Sequence, residues 1–233
     1  AGSGRRIPEF SKLIPKSLIK INNKSLLERQ IKLITQCKID EICIVRGFKA
    51  SKINFKNIKY FHNKNYRQNE QLDSLFSAKD WFIDDLLISF SDIIYDISVI
   101  KKIINNKCNF TIAIQKNWKK KYINRFDHPL DQADKVFIKN NKIMDIGKKL
   151  TMNKANGEFL GIFKISKKMC NMLLKEYKLL KKTKSTKKLQ LHHFFKYLIK
   201  KEINIKPTYV SGKYVEIDTF NDYKIAKQMF NEK

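Results

Sequence analysis

Short apolar runs alternate with amphipathic segments along most of the chain. Apolar or alternating runs that indicate strands lie at 41–46, 58–61, 86–92, 110–115, 157–166 and 214–218. Segments with apolar residues at helical spacing lie at 25–36, 69–81, 99–104, 167–180, 194–199 and 221–230. Strands that alternate with helices are typical of a mostly parallel sheet covered on both faces. We therefore expect an α/β fold, a Rossmann-like three-layer sandwich.

This alternation weakens in the middle of the chain. Apolar runs at 136–139 and 142–144 flank Asn140 and Asn141. Two asparagines between such runs predict the tight turn of a β-hairpin, since asparagine tolerates the backbone angles that the turn needs. The hairpin lies in a less regular segment, about residues 116–156, which we expect to be an insertion into the domain.

Length and apolar content bound the class of protein. The chain of 233 residues can bury one substantial core, so we expect a single domain over residues 1–233. No apolar run approaches the ~20 residues that span a bilayer, and the N-terminus lacks a signal-peptide pattern. We expect a cytoplasmic protein without a transmembrane segment.

The four cysteines and four histidines show no zinc-ligand spacing.

The formal net charge of +27 raises the question of a polyanionic partner. The cations are 43 lysines and 6 arginines, whereas arginine is the residue suited to bidentate readout of bases and phosphates. Lysine is accompanied by much isoleucine and asparagine, the combination that AT-rich codons encode. We therefore expect no stable nucleic-acid partner, although a lysine-rich nucleic-acid-binding module stays an alternative.

A glycine-rich segment opens the chain. Residues 1–6 read A-G-S-G-R-R, and Lys16 follows ten residues later. Gly2 and Gly4 let the backbone approach a polyphosphate closely, while Arg6 and Lys16 can neutralise its charge. A glycine turn with solvated cations would give the same letters, so other segments must decide between the two interpretations.

Two aspartates at the ends of predicted strands favour a ligand site. Asp92 ends the run that begins at Leu86, and Asp218 ends the run that begins at Tyr214. Ligands of open α/β sheets lie outside the carboxyl ends of the strands, so both carboxylates can converge on one Mg2+ that faces the phosphates. Asp218 can equally cap the helix that follows it.

In this order and spacing, these segments resemble the sugar-nucleotide and phosphocholine nucleotidyltransferases, and most of all the cytidylyltransferases of phosphocholine, phosphonates and related small phospho-compounds. The resemblance runs over nearly the whole chain. It is carried by segments 1–6, 15–16, 63–75, 88–95, 157–161 and 216–219, together with Trp118 and Arg125. These enzymes transfer a nucleoside monophosphate from a nucleoside triphosphate to a phosphorylated acceptor and release pyrophosphate.

The resemblance implies a role for each matching residue. Catalysis would rest on Arg6, Lys16, Asp92 and Asp218, with Mg2+ held by the two aspartates. The nucleotide, CTP by preference, would be bound by Ala1, Gly2, Ser3, Gly4, Arg6, Lys16, Gln71 and Ser74. The phosphorylated acceptor would be bound by Trp118, Arg125 and Glu158, under a roof made by the hairpin. Plain packing is an alternative for Trp118, and helix-surface polarity is one for Gln71 and Ser74.

Three positions depart from the family pattern. The glycine-rich loop normally follows a buried strand, and this chain starts on the loop, so a first strand is expected to be missing. Glu70 stands where many relatives have an amide. Gln115 stands where relatives often have an aspartate, which suits a cationic amine acceptor less well.

Alternatives therefore stay open within and outside the class. The enzyme could use UTP, dTTP or GTP with a sugar 1-phosphate instead of CTP. A chain without its first strand could also be a defective fragment. The sequence leaves the base, the acceptor and the oligomeric state undecided, and a homodimer is one arrangement consistent with it.

Overall fold

A computed structural model describes residues 7, 10, 13–68, 70–123, 125–183 and 188–231. The predicted phosphate-binding segment, residues 1–6, lies outside these residues. Twelve strands are described: β1 Lys20–Ile21, β2 Lys24–Ser25, β3 Cys43–Arg46, β4 Lys59–His62, β5 Leu86–Ser89, β6 Ile93–Tyr95, β7 Phe110–Gln115, β8 Lys135–Lys139, β9 Lys142–Ile146, β10 Gly157–Ile165, β11 Lys206–Tyr209 and β12 Tyr214–Glu216. The described α-helices are α1 Leu26–Gln36, α2 Gln71–Phe76, α3 Ile97–Ile104, α4 Lys167–Thr183, α5 Leu191–Lys200 and α6 Phe220–Met229.

Local signals place several of these elements where the sequence predicts them. Ser25 accepts a hydrogen bond from the backbone N–H of Glu28, whose side chain bonds back to the Ser25 N–H, so α1 begins at a capping box. Asn140 and Asn141 have φ angles of 50° and 55° and turn the chain from β8 into β9. The predicted hairpin is therefore confirmed. The expected helix over 69–81 is shorter, because α2 ends at Phe76 and only a 3-10 turn, Lys79–Trp81, follows.

The central sheet has six strands and mixed direction. Its order is β11-β7-β10-β8-β9, and β5 pairs with the C-terminal part of β10. β11 runs parallel to β7, as does β4 to β3 in a separate pair, whereas β10 runs antiparallel to β5, β7 and β8. The hairpin β8–β9 extends this sheet at one edge. The α/β fold is thus confirmed, with an antiparallel strand at its centre.

Helices cover both faces of the sheet, as the three-layer prediction requires. On one face Phe163 and Ile112 pack with Phe194 of α5 and Leu173 of α4 in the largest buried apolar cluster. On the other face Ala113 and Leu160 pack against α3 through Val99, Ile100 and Ile103. Alternate residues of β7 and β10 therefore enter two separate cores. No helix within the described part of the chain is long and apolar enough to cross a membrane.

Candidate nucleotidyl-transfer site

The Lys16 ammonium lies between two carboxylates from distant parts of the chain. Its Nζ donates a hydrogen bond to Asp92 Oδ2 over 2.9 Å and a second, short one to Asp218 Oδ1. The side chains of Lys16 and Asp218 are 13% and 4% exposed, so most of this charge cluster is shielded from bulk water. The structure therefore brings together three residues that the sequence analysis assigned to one site.

Backbone pairing explains why the two aspartates meet. β6 begins at Ile93, directly after Asp92, and pairs antiparallel with β12, so that Ile93 lies opposite Glu216. The N–H of Ile217 also donates to the carbonyl oxygen of Asp92 over 2.9 Å. The convergence was predicted from two strand tips at one edge of a parallel sheet. It arises instead where one strand begins beside the end of its antiparallel partner.

Charge interactions in this cluster are strong. Burial disfavours the charged form of Lys16, but the carboxylates of Asp92, Asp218 and Glu216 outweigh it and raise the pKa of the ammonium above its ordinary value. Burial and then the neighbouring carboxylates of Asp218 and Asp92 together raise the pKa of Glu216 to about 8, so this carboxyl is mostly neutral near pH 7. The carboxylates of Asp92 and Asp218 still face the single ammonium of Lys16, which favours a further cation.

A second group of potential metal ligands overlaps the first. Ligand atoms of His128, Glu216 and Asp218 all lie within 4.8 Å of one another. His128 Nδ1 is 3.8 Å from Asp218 Oδ2. Carboxylate oxygens are the ligands that Mg2+ prefers, and Asp92 and Asp218 present them towards one point, so these two residues fit a hard divalent cation. Glu216 and His128 are the candidates for completing such a site.

Beneath Asp218 lies a buried ionic network that sequence analysis did not foresee. Arg125 Nε donates to Asp222 Oδ1 over 2.6 Å, and Arg125 also donates to the carbonyl oxygen of Glu216 over 3.0 Å. Asp222 Oδ2 accepts the backbone N–H groups of Asp218 and Thr219 over 3.0 and 2.9 Å. The N-cap of α6 is therefore Thr219, and Asp222, at position N3 of the helix, completes the capping box. Asp218 does not cap the helix, and its carboxylate accepts the hydrogen bond from Lys16.

The expected acceptor residues occupy two different environments. Glu158 is buried on β10, where Oε1 accepts the hydroxyl of Tyr122 and Oε2 lies 2.5 Å from Lys121 Nζ. Trp118, 1% exposed, packs with Ala133 and Ala155. Arg125, 6% exposed, is engaged in the network beneath Asp218. All three side chains are therefore buried and offer a ligand almost no surface, and they differ in that Glu158 and Arg125 carry charged partners.

The remaining nucleotide candidates lie at the start of α2. Ser74 accepts a hydrogen bond from the side-chain amide of Asn63 over 2.9 Å, next to the end of β4. Gln71 is exposed, and its Oε1 accepts the N–H of Leu191 over 3.4 Å. Gln71 is therefore accessible to a ligand, while Ser74 already has a side-chain partner.

Several site residues had little or no sequence signal. Asp222 stands three residues after Thr219, which is the spacing of a capping box, and this spacing could have identified it. Glu216 belongs to the segment that carried the resemblance, without an assigned role. His128 and Tyr122 are single residues in an irregular segment, and only the fold brings them to the site.

The comparisons with known proteins agree with this geometry. The chain is 28% identical to the CTP:phosphoglutamine cytidylyltransferase of Campylobacter jejuni over 97% of its own length and 96% of the relative's. It is 28% identical to the choline-phosphate cytidylyltransferase of Haemophilus influenzae over 50% of its length and 51% of that protein. No family model matches the chain.

Solved structures show the same fold at low sequence identity. The inositol-1-phosphate CTP transferase from T. maritima superposes with a TM-score of 0.76 at 17% identity, over 98% of this chain and 93% of the other. The CTP:phosphocholine cytidylyltransferase from Streptococcus pneumoniae gives a TM-score of 0.74 at 18% identity, over 99% and 96%. The fold and the relatives are thus those of nucleotidyltransferases, to which the chain is similar as the resemblance implied. The curated relative that it matches over nearly its full length is a cytidylyltransferase.

Proposed function

We propose that the protein transfers CMP from CTP to a small phosphorylated acceptor and releases pyrophosphate. The observation that carries the proposal is the convergence of Lys16, Asp92 and Asp218 in a chain similar along its whole length to a cytidylyltransferase. An anionic oxygen of the acceptor attacks the α-phosphorus of CTP, and the bond from that phosphorus to the pyrophosphate oxygen breaks. No base is needed because the nucleophile is already an anion.

The main task of the site is to hold two anions that repel each other. In this proposal Asp92 and Asp218 hold Mg2+, with Glu216 and His128 beside them. When bound, Mg2+ offsets negative charge on the phosphate oxygens. Lys16 contacts the α-phosphate or the acceptor anion. Its ammonium donates to both aspartates and has three N–H donors, so one donor is left for a phosphate oxygen.

The other residues follow from the resemblance, and all but Arg125 and Trp118 keep the roles that it implies. The backbone of residues 2–4 and the side chain of Arg6 hold the β- and γ-phosphates, and Gln71 and Ser74 contact the base or ribose. Glu158 serves the acceptor. We assign Arg125 a positioning role, because it bonds Asp222 and the Glu216 carbonyl rather than facing a ligand. Trp118 supports Tyr122, whose ring centroid is 6.0 Å away. All of this lies in one proposed domain over residues 1–233.

A pyrophosphate-release assay tests the proposal. CTP, UTP, dTTP and GTP are each offered with Mg2+ and with phosphocholine, glycerol 3-phosphate, inositol 1-phosphate, N-phosphoryl-glutamine or glucose 1-phosphate. We expect release with CTP and at least one non-sugar acceptor. Release with UTP or dTTP and glucose 1-phosphate would favour the sugar-nucleotide alternative, which solved neighbours such as the UDP-glucose pyrophosphorylase also represent.

Binding measurements complete this test. We expect a Mg2+-dependent rise in Tm with CTP and none with a short RNA of equal phosphate content. Stabilisation by RNA without nucleotide selectivity, together with no pyrophosphate release from any pair, would overturn the proposal and favour the basic binding module. Salt helps to distinguish the two, because phosphate contacts by surface lysines weaken steeply as salt rises.

A further inference from the structure

The Lys121 ammonium lies between a buried carboxylate and an aromatic ring, a position that suits a cation. Its Nζ lies 2.5 Å from Glu158 Oε2 and 4.7 Å from the ring centroid of Tyr214. A buried carboxylate opposite an aromatic face is an arrangement that binds organic ammonium groups. The Lys121 side chain is 17% exposed, whereas Lys119 and Lys120 of the same 3-10 turn are exposed. Lys121 is therefore the one member of this lysine run that is drawn into the site.

This position adjoins the proposed catalytic centre. Tyr214 lies in β12, two residues before Glu216, and its hydroxyl donates to the carbonyl oxygen of Leu160 over 3.0 Å. Tyr122, which bonds Glu158, also has its ring 5.7 Å from that of His128. The Glu158 carboxylate is thus connected to the Asp218 region through the side chains of Tyr122 and His128.

A row of polar side chains lies on the sheet on either side of Glu158. Glu158 pairs with Gln115 of β7 on one side and with Lys135 of β8 on the other, so the three side chains share one face of the sheet. Gln115 Oε1 is shielded from solvent and has no hydrogen-bond partner among the described residues. A buried amide oxygen without a donor is costly, and an acceptor molecule with an uncharged N–H or O–H group would satisfy it.

We infer that Lys121 is a specificity-determining residue, which selects acceptors whose distal end has no net positive charge and can donate a hydrogen bond. The inference rests on the proposed function and adds the class of acceptor. A quaternary ammonium group would have to displace Lys121 from Glu158 or lie beside it. Displacement breaks the ion pair between Lys121 and Glu158, and a position beside Lys121 brings two like charges to short range. An amide or hydroxyl group meets no such repulsion and can reach Gln115.

The test combines acceptor selectivity with direct cation binding. We compare the wild type with Lys121→Met, which removes the charge but keeps a flexible side chain, and with Lys121→Arg, which keeps the charge. Lys120→Met is the matched control, because it removes one positive charge from the same turn at an exposed position. Pyrophosphate release is measured with CTP and either glycerol 3-phosphate, N-phosphoryl-glutamine or phosphocholine. Binding of tetramethylammonium is measured separately by calorimetry.

For the wild type, Lys121→Arg and Lys120→Met, we expect kcat/KM for phosphocholine at least about tenfold below that for the better of glycerol 3-phosphate and N-phosphoryl-glutamine. In Lys121→Met, the difference in kcat/KM between the better acceptor and phosphocholine should shrink by about tenfold or more. The change should come from a lower KM for phosphocholine, with the KM of CTP unchanged. Lys121→Met should also bind tetramethylammonium, while the wild type does not. Equal use of phosphocholine by the wild type, or an unchanged ratio in Lys121→Met, would overturn the inference.

The binding arm keeps the two proposals separate. If no pair of nucleotide and acceptor releases pyrophosphate, the proposed function fails, but tetramethylammonium binding still decides the role of Lys121. If tetramethylammonium binds equally tightly to the wild type and to Lys121→Met, Lys121 does not occupy the position of a cationic ligand. This result alone would refute the inference. Circular dichroism and Tm verify that each variant is folded.

Discussion

The carboxylate of Asp222 fixes the backbone of Asp218, because Asp222 Oδ2 accepts the backbone N–H of Asp218 over 3.0 Å. The same carboxylate group binds Arg125, and neither side chain has appreciable contact with solvent. One buried ion pair therefore fixes the start of α6 and the residue that contacts Lys16. This relationship predicts that stability and activity are linked at a residue that touches no substrate.

Asp222→Ala should destabilise the fold by about 3–5 kcal/mol, because it leaves Arg125 charged, buried and without its carboxylate partner. Asp222→Asn should cost less, since its side-chain oxygen can still accept the N–H groups of Asp218 and Thr219. Urea denaturation measures both. Lys227→Ala, an exposed change on the same helix, serves as the control and should stay within about 0.5 kcal/mol of the wild type.

The Asp222→Asn protein also tests positioning. We expect kcat to fall while the KM of CTP changes little, because a displaced Asp218 affects the transition state more than ground-state nucleotide binding. Wild-type kcat in a folded Asp222→Asn protein would show that the network serves stability alone.

Lys16→Met should have opposite effects on metal binding and turnover. Without the ammonium, Asp92 and Asp218 lose their bound cation, so the nucleotide-free protein should bind Mg2+ or Mn2+ more tightly. Turnover should fall by about 10²–10³, the usual effect of removing one group that stabilises transition-state charge. Calorimetry with Mn2+ and the pyrophosphate assay measure the two effects.

Lys20→Met is the control for Lys16→Met, because it removes the same charge from an exposed position. A weaker affinity for Mn2+ in Lys16→Met would contradict the competition between lysine and metal. Unchanged turnover would remove Lys16 from the catalytic site.

Asp92→Asn should reduce turnover by orders of magnitude while Tm changes by only a few degrees. The amide still accepts a hydrogen bond from Lys16, so local structure is kept, but a charge that we propose to bind the metal is lost. A Mg2+ titration of kcat should show a higher Mg2+ requirement. Asp80→Asn, at an exposed position, should behave like the wild type. A chelator should reversibly abolish the activity of the wild type and of Asp80→Asn.

Gly161→Ala should lower stability by about 2 kcal/mol and Tm by roughly 4–8 °C. Gly161 has φ +73° at the irregularity of β10, and a Cβ atom there would lie 2.6 Å from Cδ2 of Phe90. In a Phe90→Ala background the same change should cost less, because only the backbone strain of about 1 kcal/mol is left. Thermal unfolding of the four proteins separates the two contributions, and equal losses in both backgrounds would exclude the clash with Phe90.

Local patterns were enough to predict most elements of this chain. The capping box at Ser25 and Glu28 and the turn at Asn140 and Asn141 depend on contacts within a few residues, so their sequence signals are direct. The alternation of strands and helices also predicted three layers, since each helix needs an apolar face of the sheet to cover. Sequence could not predict the direction of β10, because its apolar run looks the same whether its neighbours are parallel or antiparallel.

Residue type and order alone identified Lys16, Asp92 and Asp218 as members of one site. Which atoms meet, and what surrounds them, depended on contacts between residues far apart in the chain. Tertiary packing alone placed Lys121 against Glu158 and Tyr214, and made Arg125 a buried partner of Asp222. The physical reason is that burial and opposing charges decide what a lysine or arginine does, and both are properties of the assembled fold.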